Sequence, residues 1–376
     1  MIYVPRTDRT LVGNWWWTVD RFMLGGVALL AVVGTILIFA ASPAVGERVY
    51  GAEMHFVVKH LFFLLPASCM LVVVSLLAPL GVLRLAVGML GLFGFLLVLT
   101  LLFAPEVKGA HRWLVLFGMP LQPSEFVKPA LIVVTAYLLS RRERAKAMPT
   151  TALLVLPVLA VLAKQPDIGM AAVISLVYCA QLFVAGIAWI WVLALIGAVV
   201  FGAWQAYLWL PHFTERVNGF LDPDSLGYQI ERALRAVAAG GLFGRGPGEG
   251  VQKWHLPDAH ADFIFAATAE EFGIIACLFL VVVFASLILR GLWRVHETTD
   301  RFIQLAAVGL VAQFGLQALI NMAVNLNLMP TKGMTLPFIS YGGSSLLALA
   351  IGMGMLLALT RRGARLELPL RPELLR

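Results

Sequence analysis

Long runs of apolar residues without a charge recur along the chain, and short polar segments separate them. A helix needs about 20 apolar residues to cross the hydrocarbon core of a bilayer, and ten runs approach or exceed that length. The pattern therefore predicts ten membrane-spanning helices. They lie at 22–41, 57–78, 83–103, 125–140, 150–166, 168–186, 188–210, 262–289, 303–325 and 335–360.

The composition places the chain in a membrane rather than in water. Of its 376 residues, 60% are hydrophobic and 13% are charged, whereas a soluble domain carries about 25% charged residues. This excludes an ordinary soluble globular domain. The three cysteines, Cys69, Cys179 and Cys277, each lie inside an apolar run, which excludes a disulfide framework. The predicted fold class is an all-α, polytopic integral membrane protein.

The positions of the basic residues orient the predicted spans. With ten spans both termini lie on one side, and that side carries 16 of the 28 lysines and arginines, against nine on the other side and three in the spans. Because cytoplasmic loops are enriched in Lys and Arg, both termini are predicted to be cytoplasmic. The orientation of the spans explains why the chain has a net charge of +7. The charge therefore gives no support to nucleic-acid binding. We interpret residues 1–376 as one transmembrane domain with cytoplasmic segments at 1–21 and 363–376.

The longest connection, residues 211–261, is predicted to lie on the outer side between spans seven and eight. A loop of this length is typical of a functional or a disordered segment. The stretch from Tyr228 to Ala239 has helical periodicity, follows the turn sequence Asp222-Pro-Asp-Ser225 and ends before Gly240-Gly241. The loop is therefore predicted to be ordered and to contain a short amphipathic helix, followed by a glycine-rich turn at 244–250.

Ionisable residues at membrane depth cost about 2.5–3.5 kcal/mol each on insertion, so each is a candidate for function. Glu125 and Lys128 at the start of span four are three residues apart and share a helical face. Their spacing is compatible with two interpretations. The residues form an ion pair that only allows the helix to insert into the membrane, or they form a polar pair in a functional cavity. Lys164-Gln165-Pro-Asp167, between spans five and six, is either a polar turn or a substrate contact.

Two more polar clusters lie near spans eight and ten. Proline and paired glycines in 336–343 indicate a broken helix that lines a cavity, or glycines that only allow close packing. Asp262 stands where the long loop enters span eight, and it is either the N-cap of that span or a proton acceptor in an apolar environment. His255, Asp258, His260 and Asp262 match no tight metal-binding spacing, so no metal site is predicted.

Taken in order, these motifs are similar to those of the SEDS family (shape, elongation, division and sporulation), from about residue 20 to about residue 362. Gln252-Lys253 and the segment 330–337 resemble the cell-division branch, FtsW, more than RodA. Ala261 stands where the family usually has threonine or serine. The motifs are Lys108-Gly-Ala-x-Arg112-Trp113, Gln122-Pro-Ser-Glu125-Phe-Val-Lys128, Gln165-Pro-Asp167-Ile-Gly169, Gly227-Tyr-Gln229, Gly244-x-Gly246-x-Gly248, Leu256-Pro-x-Ala-His260-x-Asp262-Phe-Ile-Phe265, Glu270-Glu271-x-Gly273 and Leu336-Pro-Phe-Ile-Ser340-Tyr341-Gly-Gly-Ser-Ser345.

The resemblance implies a peptidoglycan glycosyltransferase that polymerises lipid II, the undecaprenyl-pyrophosphate-linked disaccharide pentapeptide. It would act at the outer face of the bacterial cytoplasmic membrane during septal cell-wall synthesis. The resemblance implies that Asp262 is the general base for the acceptor 4-hydroxyl in an inverting displacement, with Glu125 and Lys128 in the same cavity. Contacts to substrate or pyrophosphate are expected from Lys108, Arg112, Gln165, Asp167, Arg216, Arg245, Lys332, Ser340 and Tyr341.

The resemblance also implies partners: a class B penicillin-binding transpeptidase and other division proteins, beside lipid II, the nascent glycan strand and membrane lipids. No cofactor is evident; a divalent cation could assist the pyrophosphate, but no motif supports one. Two other functions stay open. One is a lipid II flippase, with Lys128, Lys164 and Glu270-Glu271 along a polar path, and the other is a non-catalytic scaffold. The motifs on the outer face favour the enzyme, since a translocation path needs polar groups on both sides.

Overall fold

Long helices and one short β-hairpin make up the part of the chain that the structure describes. The computed structural model describes residues 10–105, 111–116, 118–141, 144–209, 211–221 and 227–366. The helices are α1 (Leu11–Thr18), α2 (Arg21–Ala41), α3 (Pro43–Tyr50), α4 (His55–Ser75), α5 (Pro79–Phe103), α6 (Pro123–Arg141), α7 (Arg144–Lys164), α8 (Ile168–Val184), α9 (Trp189–Trp209), α10 (Pro211–Leu221), α11 (Tyr228–Gly240), α12 (Ile264–His296), α13 (Arg301–Asn325) and α14 (Gly343–Leu359), with strands β1 (Leu114–Leu116) and β2 (Met119–Leu121) and a 3₁₀ turn at Gln252–Trp254.

Ten helices of the described chain coincide with the ten predicted spans, which confirms the all-α polytopic fold. Seven of them, α2, α4, α5, α7, α9, α12 and α13, are long and apolar enough to cross a membrane. The other three, α6, α8 and α14, have 19, 17 and 17 residues. The protein is a multi-pass membrane protein.

Two spans differ from the prediction, one in where it begins and one in its length and continuity. The sequence predicts span ten from residue 335, but α14 begins at Gly343. The preceding residues cannot be helical, because Pro337 has no N–H to donate and Phe338 has a φ of 60°. Helix α12 is longer than predicted, and it is broken at Gly273, whose φ is 79° and ψ is 179°.

The long loop is ordered where it is described. The predicted amphipathic helix is confirmed as α11, which ends where Gly241 adopts a φ of 56°. The turn residues 222–225 that precede it lie outside the described residues. Helix α10 and the hairpin, in which Leu114 pairs with Leu121, have no counterpart in the prediction.

Asp20 joins the beginning of α2 to the far end of α12. Its carboxylate accepts hydrogen bonds from the N–H groups of Phe22 and Met23, each at 3.1 Å, and so caps α2. It also accepts from Nε of Arg290 at 2.9 Å and from Nε of Arg294 at 2.5 Å. Burial would raise the pKa of Asp20, but the hydrogen bonds and charges of its partners hold it below its usual value.

Helix α13 forms the centre of the bundle and α9 its periphery. In the most apolar stretch of α13, 72% is buried inside the protein. The helix packs against α6, α8, α12 and α14. A small residue permits this packing, since a β-carbon on Gly309 would lie 2.5 Å from a methyl carbon of Ile132. In α9 the buried share is 11%. Polar side chains of α13 therefore lie in the interior, where each needs a partner.

The break in α12 is filled by backbone from residues 241–250, here called the glycine loop. On one side of the break, the N–H groups of residues 245 and 246 donate to the carbonyls of 270 and 271, at 2.9 and 3.0 Å. On the other side, the N–H groups of 274 and 275 donate to the carbonyls of 241 and 242, at 3.0 and 3.3 Å. A β-carbon on Gly273 would lie 2.2 Å from the oxygen of Leu242. Glycine at the break thus lets a broken helix keep its backbone groups paired.

Candidate active site

A cavity of about 670 Å³ lies among α4, α6, α10, the turns that precede α8 and α12, and the loop before α14. A volume of this size is ordinary for a ligand site. It brings together seven of the side chains that the sequence singles out, although they are far apart along the chain. They are Arg112, Glu125, Asp167, Arg216, Asp262, Lys332 and Tyr341.

Asp262 lies in the turn that leads into α12, and its backbone is held from α13. Its carbonyl oxygen accepts hydrogen bonds from Nδ2 of Asn321 at 3.0 Å and from Nδ2 of Asn325 at 2.9 Å. Asn321 also donates to the carbonyl of Met334 at 2.6 Å. The N-cap position of α12 is Phe263, one residue after Asp262. The two buried amides fix this turn against the loop before α14.

Lys332 and Arg112 meet at the carboxylate of Asp167. Nζ of Lys332 lies 3.0 Å from Oδ1, and Nε of Arg112 lies 3.6 Å from Oδ2. The lysine reaches this position across the backbone of Gly169, where a β-carbon would lie 1.6 Å from Cδ of Lys332. Arg216, on α10, completes a set of three that we call the cation cluster: Arg112, Arg216 and Lys332. Arg216 interacts electrostatically with both Asp167 and Asp262, so three cations face two carboxylates, and the remaining positive charge suits an anion.

The pKa values at this end follow from burial and charge. Burial alone would raise the pKa of Asp167, but the charges of Lys332 and Arg112 hold it below its usual value. Burial lowers the pKa of Lys332 to about 8, although Asp167 acts in the opposite direction. At neutral pH Asp167 is therefore ionised, and Lys332 is close to the pH at which it loses its charge.

Glu125 and Lys128 form a buried ion pair at the floor of the cavity. Nζ of Lys128 lies 2.8 Å from Oε2 of Glu125 and 3.2 Å from Oε1 of Gln317. The same oxygen, Oε2, also accepts a hydrogen bond from the hydroxyl of Ser345 at 3.4 Å. Glu125 lines the cavity, whereas Lys128 lies below it beside a void of about 10 Å³. The two charges neutralise each other, as their spacing predicts. The carboxylate of Glu125 forms part of the cavity lining.

Five predicted residues are not placed in the cavity lining by the described structure. Gln165 is buried, and its amide donates to the carbonyl of Leu97 at 3.2 Å. The hydroxyl of Ser340 accepts from the N–H of Leu336 at 2.8 Å and so fixes a turn. Lys128 lies under the cavity, and Arg245 is exposed on the glycine loop. Lys108 lies outside the described residues.

Glu270 and Glu271 anchor the outer loop. Glu270 accepts hydrogen bonds from the N–H groups of residues 251, 252 and 253, at 2.7, 2.7 and 3.0 Å. Glu271 accepts from the N–H of Gly248 at 3.2 Å and forms an ion pair with Lys253. Lys253 also donates to the carbonyl of Ala40 at 2.9 Å. These carboxylates are thus engaged in holding the loop that leads to Asp262.

Sequence reasoning missed several residues of the cavity. Tyr50 and Phe56 lie in or near apolar runs, and the sequence raises His260 only as a candidate metal ligand, without a role in the cavity. All three line the cavity. Asn321 and Asn325 could have been recognised from the sequence. Two amides four residues apart in an apolar span share a helical face, and when buried each needs a hydrogen-bond partner. Among the described residues, no group of three or more histidine, cysteine or carboxylate side chains is arranged to hold a metal ion.

Comparison with known protein families identifies the class of membrane protein that has this fold and this cavity. A family model described as a cell cycle protein, FtsW/RodA/SpoVE, matches residues 20–364. The chain therefore belongs to the FtsW/RodA/SpoVE family, as its motifs predict.

Among individual proteins, the chain is 44% identical over 363 residues to the probable peptidoglycan glycosyltransferase FtsW of Caulobacter vibrioides (strain NA1000 / CB15N), covering 95% of this chain and 93% of that protein. It is 38% identical over 355 residues to the protein of the same name from Hydrogenovibrio crunogenus, covering 91% of each.

Two solved structures share the fold. One is a chain from work described as "Structural coordination of polymerization and crosslinking by a peptidoglycan synthase complex", with a TM-score of 0.77 and 28% identity, covering 92% of this chain and 98% of that one. The other is the rod shape determining protein RodA of Thermus thermophilus, with a TM-score of 0.70 and 26% identity, covering 94% and 99%.

Proposed function

We propose that this protein is a peptidoglycan glycosyltransferase that polymerises lipid II, with Asp262 as the general base. The observation that carries the proposal is that one cavity holds the carboxylate of Asp262 together with the cation cluster. Glycosyl transfer from a diphosphate-linked donor needs a base for the attacking hydroxyl and positive charge for the leaving group. The names of the two bacterial relatives support the same activity.

In the proposed reaction, Asp262 takes the proton of the acceptor 4-hydroxyl while that oxygen attacks the anomeric carbon of the growing strand. The bond between the anomeric carbon and the diphosphate oxygen breaks, and undecaprenyl diphosphate leaves with the electron pair. Configuration at the anomeric carbon is inverted. Lys332 and Arg112 donate charge-assisted hydrogen bonds to the diphosphate, exchanging part of their contact with Asp167 for it.

We also propose a setting for this activity: the division septum of a bacterial cytoplasmic membrane, beside a class B penicillin-binding transpeptidase and other division proteins. Two findings support it. The relatives bear the name FtsW, and a chain of the same fold comes from a peptidoglycan synthase complex. Lipid II and the nascent strand are then the ligands of the cavity.

The alternative of a lipid II flippase has less support. Glu270 and Glu271 are engaged by the outer loop, and Lys164 is exposed at the end of α7. The void next to Lys128 has a volume of about 10 Å³, room for about one water molecule. In this conformation of the described chain, a diphosphate headgroup does not fit below the cavity at that point.

The test is polymerisation of labelled lipid II by the purified full-length protein, alone and with its transpeptidase partner. Asp262→Asn keeps the size of the side chain but removes the base, so the rate should fall by about 10²–10⁴-fold while lipid II still binds. Glu249→Gln, an exposed carboxylate of the glycine loop, is the matched control. Wild-type polymerisation by Asp262→Asn would refute the base assignment, and transfer of lipid II between leaflets without polymer would favour the flippase.

A further inference from the structure

Amide side chains recur every fourth residue along the central helix α13, which places them on one helical face. The set is Gln313, Gln317, Asn321 and Asn325. Asn321 and Asn325 hold the Asp262 turn. Gln317 accepts a hydrogen bond from Nζ of Lys128 and donates to the carbonyl of Thr335, each at 3.2 Å. This polar face therefore links the Asp262 turn to the ion pair at the cavity floor.

Gln313, the middle residue of α13, differs from the other three amides. Its side chain is 4% exposed, and among the residues that the structure describes its Oε1 has no hydrogen-bond partner. Buried polar side chains are normally paired with the protein or with an ordered water molecule, because an unpaired one loses the hydrogen bonds it made to solvent. A hydrogen-bond donor is therefore expected next to this oxygen.

Lys128 makes one hydrogen bond fewer than the other deeply buried lysine, Lys253. A lysine ammonium has three N–H donors. Nζ of Lys253 donates to two backbone carbonyls, at 2.9 and 3.0 Å, and to the carboxylate of Glu271. Nζ of Lys128 has two partners in the described part of the chain, Glu125 and Gln317. Both lysines are 2% exposed, so the third donor of Lys128 does not face bulk solvent.

Lys128 and Gln313 line the same void, whose volume of about 10 Å³ is close to what one water molecule occupies. Thr135 and Gln181 line it as well, and their side-chain oxygens can accept hydrogen bonds. A purely apolar void of this size would stay dry, whereas a water molecule needs two to four polar partners. The void offers an ammonium donor and several oxygen acceptors. It is too small for a sugar or a phosphate, and the charge of Lys128 disfavours a metal cation.

We propose that this void binds one water molecule, and that Gln313 acts through it as a positioning residue for the ion pair of Glu125 and Lys128. The water accepts the third N–H of Lys128 and donates to Oε1 of Gln313. The ammonium is then held by two protein oxygens on the cavity side and by the water on the opposite side. A residue in the middle of the membrane thus fixes a carboxylate that lines the cavity, whichever ligand the cavity takes.

The test is solid-state NMR of the full-length protein in lipid bilayers, with its lysines labelled with nitrogen-15 at Nζ. The experiment measures how fast magnetisation passes from water to each ammonium. Lys128→Arg and Lys253→Arg assign the two buried signals, since each variant loses one. In the wild type, transfer to Lys128 should be faster than transfer to Lys253 by a factor of about five, because all three donors of Lys253 are bonded to protein. Lys332, which lines the cavity, is the positive control.

Gln313→Leu removes the acceptor at nearly constant size. Transfer to Lys128 should fall by a factor of about three or more and its nitrogen-15 signal should shift, while Lys253 and Lys332 stay unchanged. Gln304→Leu is the matched control near the start of α13, where the amide donates to the carbonyl of Thr298, and it should leave Lys128 unaffected.

Two results would overturn the inference. One is equal transfer to Lys128 and Lys253 in the wild type, a comparison that needs no substituted protein to fold beyond the assignment. The other is wild-type transfer to Lys128 in a folded Gln313→Leu, which would mean that the water reaches this lysine from the cavity instead. Thermal unfolding establishes that the variant is folded.

Discussion

The backbone of Gly333 passes directly against the carboxylate of Asp262. A β-carbon on Gly333 would lie 2.8 Å from Oδ2 and 3.7 Å from Oδ1 of that aspartate. Real β-carbons essentially never lie that close to another heavy atom, so glycine is what keeps this side of the carboxylate unobstructed. The loop that carries Lys332 and the turn that carries Asp262 are thus packed to the limit of van der Waals contact.

Gly333→Ala is therefore expected to displace the Asp262 carboxylate by several tenths of an ångström. Polymerisation of lipid II should fall at least tenfold if Asp262 is the base that we propose, because small errors in the position of such a group are costly. Gly197→Ala, on α9, adds the same methyl where no atom lies within 4 Å and should leave the rate unchanged. Equal rates for the two variants would show that the contact at Asp262 has no catalytic consequence.

Asn321 is expected to act as a positioning residue for Asp262. Asn321→Ala removes one of two donors to the Asp262 carbonyl and the donor to the Met334 carbonyl. Unfolding should become easier by about 1–3 kcal/mol, since buried carbonyls lose partners. Steady-state kinetics well below the unfolding temperature should show a tenfold lower kcat with KM for lipid II within twofold.

Asn218→Ala serves as the control for that variant, because within the described part of the chain the Asn218 side chain has one hydrogen bond, which it accepts from Tyr207 at the surface. A purely structural role of Asn321 would lower the unfolding temperature and leave kcat at its wild-type value. That result would contradict the positioning role.

Pyrophosphate binding should depend on pH through Lys332. The pKa of this lysine is lowered to about 8, so its charge is lost as pH rises from 7 to 9. The carboxylate of Asp167 stays ionised throughout, since its pKa is held below its usual value. Wild-type affinity should therefore fall as pH rises through about 8.

The matching measurement is calorimetric titration of pyrophosphate at pH 7, 8 and 9 into the wild type and Lys332→Met. In Lys332→Met, the change of affinity with pH reflects the ionisation of pyrophosphate itself. Between pH 7 and pH 9, the affinity of the wild type should fall by about tenfold more than that of the variant. Parallel curves would mean that Lys332 does not supply charge to this ligand.

Breaking the buried ion pair of Lys253 and Glu271 on one side only should strongly destabilise the protein. Both side chains are almost completely buried, at 3% and 1% exposure. Lys253→Met leaves the carboxylate without its cation and should lower the free energy of unfolding by about 3–5 kcal/mol. Thermal unfolding in detergent measures this, and Lys253→Met with Glu271→Met should recover much of the loss.

Arg235 and Glu231 provide the comparison, since they form an ion pair on the same outer loop but are 55% and 40% exposed. Arg235→Met should cost about 0.3–0.5 kcal/mol. If both variants lose the same amount, burial of the Lys253 pair has no energetic consequence.

The spans were predictable because each is a local property of the sequence. Membrane length fixes how many apolar residues a helix needs, and Lys and Arg orient the set. The broken backbone before α14 was likewise visible in Pro337 and the paired glycines. The break at Gly273 was not, because it depends on backbone contacts with the glycine loop about 30 residues earlier, and no local pattern encodes that pairing.

The site was only half predictable. Charged residues stand out in an apolar sequence, so Asp262, Asp167 and Lys332 are candidates from the sequence, and all three line the same cavity. Phe56 was not, since a phenylalanine in a spanning helix resembles core or lipid-facing packing until the cavity beside it is seen. Gln165 illustrates the opposite case, in which a polar residue of a motif is buried in a structural hydrogen bond.

The break in α12 also makes the glycine loop part of the connection between the two halves of that helix. At Gly273 the helix has no continuous ladder of its own, and backbone hydrogen bonds on both sides of the break run to the glycine loop. The two parts of α12 are therefore joined through the glycine loop as well as along the covalent chain, and the same loop leads along the sequence to the Asp262 turn.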